Sequence, residues 1–537
     1  MLSNRRGRRL ATTALAMVVT IAMVTLALGA TGSATARGTS APASVPSSHL
    51  TIVVKPNGVD DTADIQAAFN TCVSHSPGCT VRLLLGTYYI SSQITVYGFQ
   101  GSFVGAGQRL TTIVAPDAMP SPNPVYNVPC VGYPSCTYLT GPGSGIPWWA
   151  GYPGMGPDGS GSPKGSGTAN PWPAIFTFVG GSIAVSAMTI TDTSSTPTQG
   201  WYWPAIDGGG WNTALIAAIE ITGFHAFASI NEVTLVGAAG DYGGFNNMNG
   251  IHIEGAFLPG EGILPPIWTN PEAQSIPLTG TFSVTNTVSD NVQGDAFVNY
   301  VVNANATICG NTAIDTISEP LFAFVTMDLS NSNVLFCGNT GTVPMGAGIV
   351  SEQSVHMSGL LPSTVYIVNN DFQAIDGANA VDLFDFGVPS TLNAVVSGNV
   401  FMTDTSCGCI DPTIPSYYSV IISEGLASLS VSLNTISDGG SAGVYIVGGP
   451  ATVVANAILD SYVGVWVDYA NSVSVAGNLV KDSAEYGIAV TDGSSNNTVA
   501  FNFVKGSGAY DLYWDGTGTG NVWIGNFHKT SSPSGLG

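Results

Sequence analysis

Residues 456–502 read NAILDSYVGVWVDYANSVSVAGNLVKDSAEYGIAVTDGSSNNTVAFN, and this stretch decides the fold. Asn456, Asn478 and Asn502 recur at intervals of 22 and 24 residues. Each is followed by a short apolar pair, a polar turn and a glycine or small residue that opens an alternating strand. Gly464-Val465-Trp466-Val467-Asp468 and Gly487-Ile488-Ala489-Val490-Thr491 are two such strands, and Gly443-Val444-Tyr445-Ile446-Val447 lies one unit upstream. Alternation with period two, rich in Val, Ile, Tyr and Trp, predicts strands. A unit this short cannot bury its own apolar face and must stack on its neighbours. Two to three short strands per turn make a parallel β-helix whose coils lie about 4.8 Å apart.

Working outward, the same asparagine phase continues through Asn286, Asn311, Asn339, Asn370, Asn399, Asn434 and Asn526, with spacings between 22 and 35 residues. The clearest repeats therefore span 286–530. A side-chain amide at a turn can bond local backbone and its counterpart on the next coil, so these asparagines are expected to be structural. Asp290, Asp315, Asp438, Asp460 and Asp482 share the phase four residues later and are assigned to the same turns. Their stacked charges call for Lys505 or a bound cation as counterweight.

The chain begins with Arg5, Arg6, Arg8 and Arg9, an apolar run from Ala11 to Ala30, and Ala34-Thr35-Ala36. That order predicts a secretory signal over 1–36, then a linker over 37–50 and one β-helix domain over 51–537. No second membrane-spanning segment follows. The 537-residue chain has 12 Lys and Arg against 34 Asp and Glu, and removing 1–36 takes away four cations, leaving a net charge of −26. Such a surface repels nucleic acid and anionic polymers. Eight cysteines in an exported chain suggest disulfides. Proximity pairs Cys72 with Cys79 and Cys130 with Cys136; Cys309 and Cys337 stack on adjacent coils and either bridge or pack.

At the N-terminal end, residues 60–72 (DDTADIQAAFNTC) predict an amphipathic helix capped by Asp61 or Thr62, with Ile65, Ala68, Phe69 and Cys72 on one face. Short strands are expected at 80–84, 88–90, 94–96 and 102–104. The order of this helix, CTVRLLLGTYYISSQITV and GSFVGAGQRLTTIV resembles the opening of the pectate-lyase-like superfamily of right-handed parallel β-helix proteins. The resemblance implies an all-β, right-handed single-stranded parallel β-helix with an N-terminal capping helix. It leaves the chemistry open, because that superfamily holds lyases, hydrolases, epimerases and non-catalytic proteins.

Lyases of the superfamily use an Arg or Lys near a carboxylate-bound calcium. Between Arg109 and Lys481 this chain carries only Lys164. Of the Asp-Asp, Gly-His-Gly and Arg-x-Lys motifs of polygalacturonase-like hydrolases, none lies in the repeats; the chain's one Asp-Asp is Asp60-Asp61, at the start of the predicted helix. Hydrolysis of a neutral glycan asks only for two suitably spaced carboxylates. Strand alignment puts Phe297, Phe322, Ile349, Val381, Ile421 and Val444 in one inward column, with Glu352, Asp382 and Glu424 outward beside it. Neighbouring carboxylates there are one coil apart and two residues offset, roughly 8 Å between Cα atoms. Glu352, Asp382 and Glu424 are therefore the catalytic candidates, with Asp385 and Asp295 in reserve. Their bland counterpart is solvated surface acid.

Stretches 115–173, 192–213 and 255–279 read as long loops. Trp201, Trp203, Trp211 and Trp268 within them are the candidate sugar-binding residues, unless they simply pack the loops onto the solenoid. Tyr445, Trp466 and Tyr513 share an outward position and make either a second sugar track or a cover for the flank. His225, His252 and His356 are isolated, and no cysteine set has the spacing and histidine company of a zinc site. The expected protein is a secreted, extracellular hydrolase of a neutral polysaccharide that needs no cofactor, calcium being the one ion left open. A non-catalytic adhesin or glycan-binding β-helix is the alternative, and a pectate-type lyase the third.

Overall fold

The computed structural model describes residues 49–75, 78–91, 94–115, 174–192, 202–204, 210–212, 216–237, 248–254, 256–257, 275–276, 279–290, 292–299, 301–314, 320–327, 329–343, 345–353, 360–374, 379–385, 389–403, 419–437 and 440–537. The predicted signal, the linker up to residue 48, and the pair Cys130/Cys136 lie outside them. His49–Gly537 form one compact unit.

Parallel strands run through this unit in three columns, so each coil contributes one strand to each column. Between residues 300 and 524 the first column contains Asn305–Cys309, Asn333–Cys337, Ser363–Val368, Leu392–Ser397, Ser428–Ser432, Ala451–Val454, Ser474–Ala476, Thr498–Ala500 and Val522–Ile524, each in register with the next. The third column includes Pro320–Met327, Met345–Gln353, Asn379–Asp385, Ser419–Glu424, Ala442–Val447, Val463–Asp468, Tyr486–Thr491 and Tyr510–Trp514. Inward residues of all columns make one continuous apolar core, with Phe324, Phe336, Phe372 and Phe401 among its largest fully buried side chains.

The corner between the first and second columns carries the asparagines. Asn434 shows the pattern. Its Oδ1 accepts from Asn399 N at 3.0 Å and Asn399 Nδ2 at 2.9 Å, and its own Nδ2 donates to Val396 O and to Asn456 Oδ1. The same bonds link Asn311, Asn339, Asn370, Asn399, Asn434, Asn456, Asn478, Asn502 and Asn526 into one row, buried up to Asn502 and half-buried at Asn526. Asn286 is not in it. Thr287 takes that position and bonds Asn311 Oδ1 through both N and Oγ1, while Asn286 sits one residue earlier at φ 53°. The residue before each ladder position is left-handed throughout, as in Gly310, Leu433 and Phe501, and asparagine tolerates that conformation better than most residues.

The inward column is also partly rephased. Ile349, Val381, Ile421 and Val444 are in register as expected, but upstream of them come Phe324 and Ala296 rather than Phe322 and Phe297. Pro320–Met327 is apolar at successive positions, so its pattern does not reveal which residues face the core.

The helix spans Thr62–His75 and buries Ile65, Ala68, Phe69 and Cys72. Phe69 packs against Phe99, Phe103 and Phe178 of the first coils. Asp61 stands just before the helix, yet its carboxylate accepts from Asn57 N and Tyr89 N, tying helix entry to the first coil instead of capping its own turn. Two of the expected early strands are one, Ile94–Val104, bent at Gly98. Cys72–Cys79 and Cys309–Cys337 are disulfides. The loop regions 192–213 and 255–279 each contain a short antiparallel pair, Tyr202–Pro204 with Gly210–Asn212 and Ala256–Phe257 with Ser275–Ile276.

Candidate functional site

Three coils of the third column place the predicted acids. Glu352 is in register with Phe384, and Phe384 with Glu424, so the two glutamate positions flank Phe384 on either side. Asp382 lies two residues before Phe384 on the same strand and is thus one coil and two residues from each glutamate. The core-facing residues Val381 and Leu383 fix this phase, since period-two alternation sends Asp382 and Phe384 to the opposite face.

Asp382 is 9% exposed, and its Oδ1 accepts from Asn379 Nδ2 at 2.8 Å. Burial pushes its carboxyl up to about 8, against the hydrogen bond from Asn379 and with help from the Glu424 charge. Glu424 is half-buried, and burial raises its carboxyl as well. Taking a carboxylate out of water disfavours its charged form, and a like charge beside it adds to the effect. The reserve acid Asp385 is accounted for by structure. Its Oδ2 accepts from Thr391 N and Leu392 N at 2.6 and 2.7 Å, closing the turn into the next strand.

Beyond the acids, Asp382 continues in register through Ile422, Tyr445, Trp466, Ala489 and Tyr513, so the shared outward position expected of Tyr445, Trp466 and Tyr513 holds. Their environment favours a flank cover over a sugar track. Tyr445 is buried, and its hydroxyl donates to Asp468 Oδ2 at 2.9 Å. Thr491 Oγ1 donates to Asp468 Oδ1 at 2.7 Å and accepts from Trp466 Nε1 at 2.8 Å. Tyr486 and Tyr513 stack at 4.2 Å, and Tyr513 follows the small Ala489 in register. The aromatic faces are thus spent largely on one another. Sequence reading missed the Tyr445–Asp468–Thr491–Trp466 chain because its members come from three coils and only the fold joins them.

Asn379 was missed for a related reason: it precedes Asp382 by three residues, a spacing that an ideal strand sends to opposite faces. Of the four candidate sugar-binding tryptophans, Trp203 and Trp211 are opposite each other in the Tyr202–Pro204/Gly210–Asn212 pair. Trp201 and Trp268 lie outside the described residues, as does His356. Among the described residues, no three His, Cys, Asp or Glu side chains are grouped to hold a metal ion, and no helix is long and apolar enough to cross a membrane.

Residues 358–527 match the family model described as a right-handed β-helix region. The chain is a right-handed parallel β-helix protein. Solved structures with the same fold include gene product 12 of bacteriophage phi29, 11% identical, covering 89% of this β-helix chain and 54% of that one at a TM-score of 0.50. They also include the catalytic unit of a GH87 α-1,3-glucanase from Streptomyces thermodiastaticus, at 12% identity, 92% and 71% coverage and a TM-score of 0.45. The surface adhesin PfbA of Streptococcus pneumoniae aligns at 13% identity, 89% and 91% coverage and a TM-score of 0.42. No curated protein matches the β-helix chain by sequence. At 11% identity the likeness to the phage protein shows the fold alone and does not choose an activity.

Proposed function

We propose that this β-helix protein is a secreted glycoside hydrolase of a neutral polysaccharide, with Asp382 as general acid and Glu424 as its ionised partner. The observation that carries the reading is a buried carboxyl, bonded to Asn379 and shifted upward by its burial, one coil and two residues from a half-buried glutamate. Two carboxyls whose environments differ in this way can divide acid and base work. Asp382 would protonate the glycosidic oxygen as the bond to the anomeric carbon breaks. Glu424 would take a proton from the water that forms the new C–O bond. An offset of one coil and two residues corresponds to roughly 8 Å between their Cα atoms, and an inverting mechanism would need their carboxyls about 6.5–9.5 Å apart. Glu352 holds the symmetric position on the other side of Asp382 and is the second candidate for the base.

Charge supports a neutral substrate: 34 acidic against 12 basic residues offer little to hold a polyuronate. The two disulfides fit an oxidising compartment, and the Arg-rich, apolar, Ala-Thr-Ala opening fits export with cleavage after Ala36. Calcium has no part in the proposed chemistry.

The test is reducing-end release by residues 37–537 on a panel of neutral and uronic polysaccharides at pH 4–7, with absorbance of unsaturated products read in parallel. Release from a neutral glycan that a calcium chelator leaves unchanged is the expected result. Unsaturated products that vanish with the chelator would replace the hydrolase with a lyase. Glycan binding with no release on any member of the panel would replace it with the non-catalytic reading.

A further inference from the structure

Asn379 and Asp382 form a buried pair whose hydrogen bonding is half complete. Asn379 is 7% exposed, and its Nδ2 donates to Asp382 Oδ1 at 2.8 Å. Its own Oδ1 is buried and has no partner among the described residues. A buried amide oxygen without a donor forfeits its hydration with nothing in return, so native structures seldom leave one. Every asparagine of the corner row, by contrast, has its Oδ1 filled by the coil before it.

We infer that the missing donor is the carboxylic proton of Asp382, and that Asn379 is the positioning residue that holds this proton in place through a two-bond acid–amide ring. In that ring Asn379 Nδ2 donates to one carboxyl oxygen of Asp382, and the other carboxyl oxygen donates its proton to Asn379 Oδ1. Both polar groups of the amide are then satisfied, whereas an ionised Asp382 would still accept from Nδ2 but would leave Asn379 Oδ1 without a donor. The groups around Asp382 agree. Glu424 on the following coil brings negative charge, Val350 occupies the register position on the preceding coil with Glu352 two residues beyond it, and Tyr445 one coil past Glu424 commits its hydroxyl to Asp468. Asp385, on the same strand, faces backbone amides of the next turn. None of these groups supplies a cation that would draw the proton off.

The inference deepens the proposed hydrolase, because a general acid needs a stored proton, but its geometry does not depend on which substrate is cleaved or whether one is. The two can fail separately. The experiment is an infrared titration of the full mature chain from pH 4 to 10, with the Asp382→Asn spectrum subtracted to isolate the Asp382 carboxyl band. The wild type should show a hydrogen-bonded protonated carboxyl that persists above pH 7. Asn379→Leu removes both legs of the ring while keeping the site apolar, and should lower the Asp382 midpoint by about one pH unit, the worth of one lost net hydrogen bond. It should also move the band to the position of a free carboxylic acid.

A midpoint that rises in Asn379→Leu would overturn the inference, since it would mean that the amide serves only to stabilise the carboxylate. Should Asn379→Leu not fold, Asp382→Asn answers instead. An amide at 382 supplies the same donor to Asn379 Oδ1 at every pH, so its thermal midpoint should match the wild type near pH 5 and exceed it above pH 8. A variant less stable than the wild type at both would overturn the inference too. Loss of all hydrolysis with the infrared result intact would sink only the hydrolase.

Discussion

Asn434 and Asn379 are the same residue, both buried, in neighbouring parts of one solenoid, and they fare differently. Asn434 has a copy on the coil before and another on the coil after, and each atom of its amide finds a partner in them. Asn379 has no copy. Ala347 precedes it in register, and among the described residues its amide oxygen has no partner. In a repeat fold, then, a buried polar side chain that recurs is satisfied by its own kind and stabilises the stack. One that occurs on a single coil must be satisfied by something else, which is where chemistry can enter.

The largest effect should follow from breaking the recurrent row. Asn434→Ala strands Asn399 N and Val396 O in the core and should cost about 3–5 kcal/mol, from two buried groups left unpaired plus the lost side-chain bonds. Urea denaturation would measure it, and a loss under ~1 kcal/mol would show that neighbouring coils relax to fill the gap.

A second contrast lies within the third column, where Asp511 is also buried but is supplied with donors. Burial alone would raise its carboxyl, yet the backbone amides of Lys529, Ser507 and Thr530 outweigh it and hold the group below the ordinary aspartate range. Asp511→Asn should therefore destabilise the last coils by about 2 kcal/mol at neutral pH. Because the folded carboxyl lies below its unfolded value, this stability is present above the unfolded value near ~3.9 and is lost as pH falls through the folded one.

Asp382 should give the opposite slope. Its folded carboxyl, at about 8, lies above the unfolded one, so its contribution is complete below the unfolded value and fades as pH rises through the folded one. Thermal midpoints should fall across roughly pH 4–8, by at most about 1.4 kcal/mol per pH unit, and Asp382→Asn should flatten that fall. A wild-type profile that rises over this range, after correction with the variant, would place the carboxyl with Asp511 instead. The smallest effect is expected at Asn333, whose exposed amide reaches Asn305 at 3.3 Å with water as a ready substitute. Asn333→Ala should stay within about 0.5 kcal/mol in the same denaturation assay.

The period of the asparagines made the fold legible, since a spacing near 22–24 residues permits little but a stack of short strands. The single-residue error at Asn286 has a simple cause. The left-handed position and the ladder position are adjacent, asparagine suits both, and the letters alone do not say which is which. Phe297 and Phe322 were misphased where the strand is apolar on both faces. The acids at 352, 382 and 424 were legible because clean alternation around Val381 and Ile421 fixed their phase, and register did the rest. Asn379 was not, because it precedes Asp382 by three residues, a spacing that alternation assigns to opposite faces, and only the fold shows the two bonded. Nor was the Tyr445–Asp468–Thr491–Trp466 chain, whose bonds reach across coils to side chains that no local pattern links.

The central claim is that the unrepeated pair at Asp382 does chemistry while the repeated asparagines hold the stack. Its most direct measurement is the hydrolysis rate of Asp382→Asn, relative to wild type, on a neutral glycan that the wild type cleaves. The substitution keeps shape and hydrogen bonding and removes only the transferable proton, so the rate should fall about 10²–10⁴-fold with the thermal midpoint at pH 5 unchanged. An equally stable variant that cleaves the glycan at the wild-type rate would contradict the account.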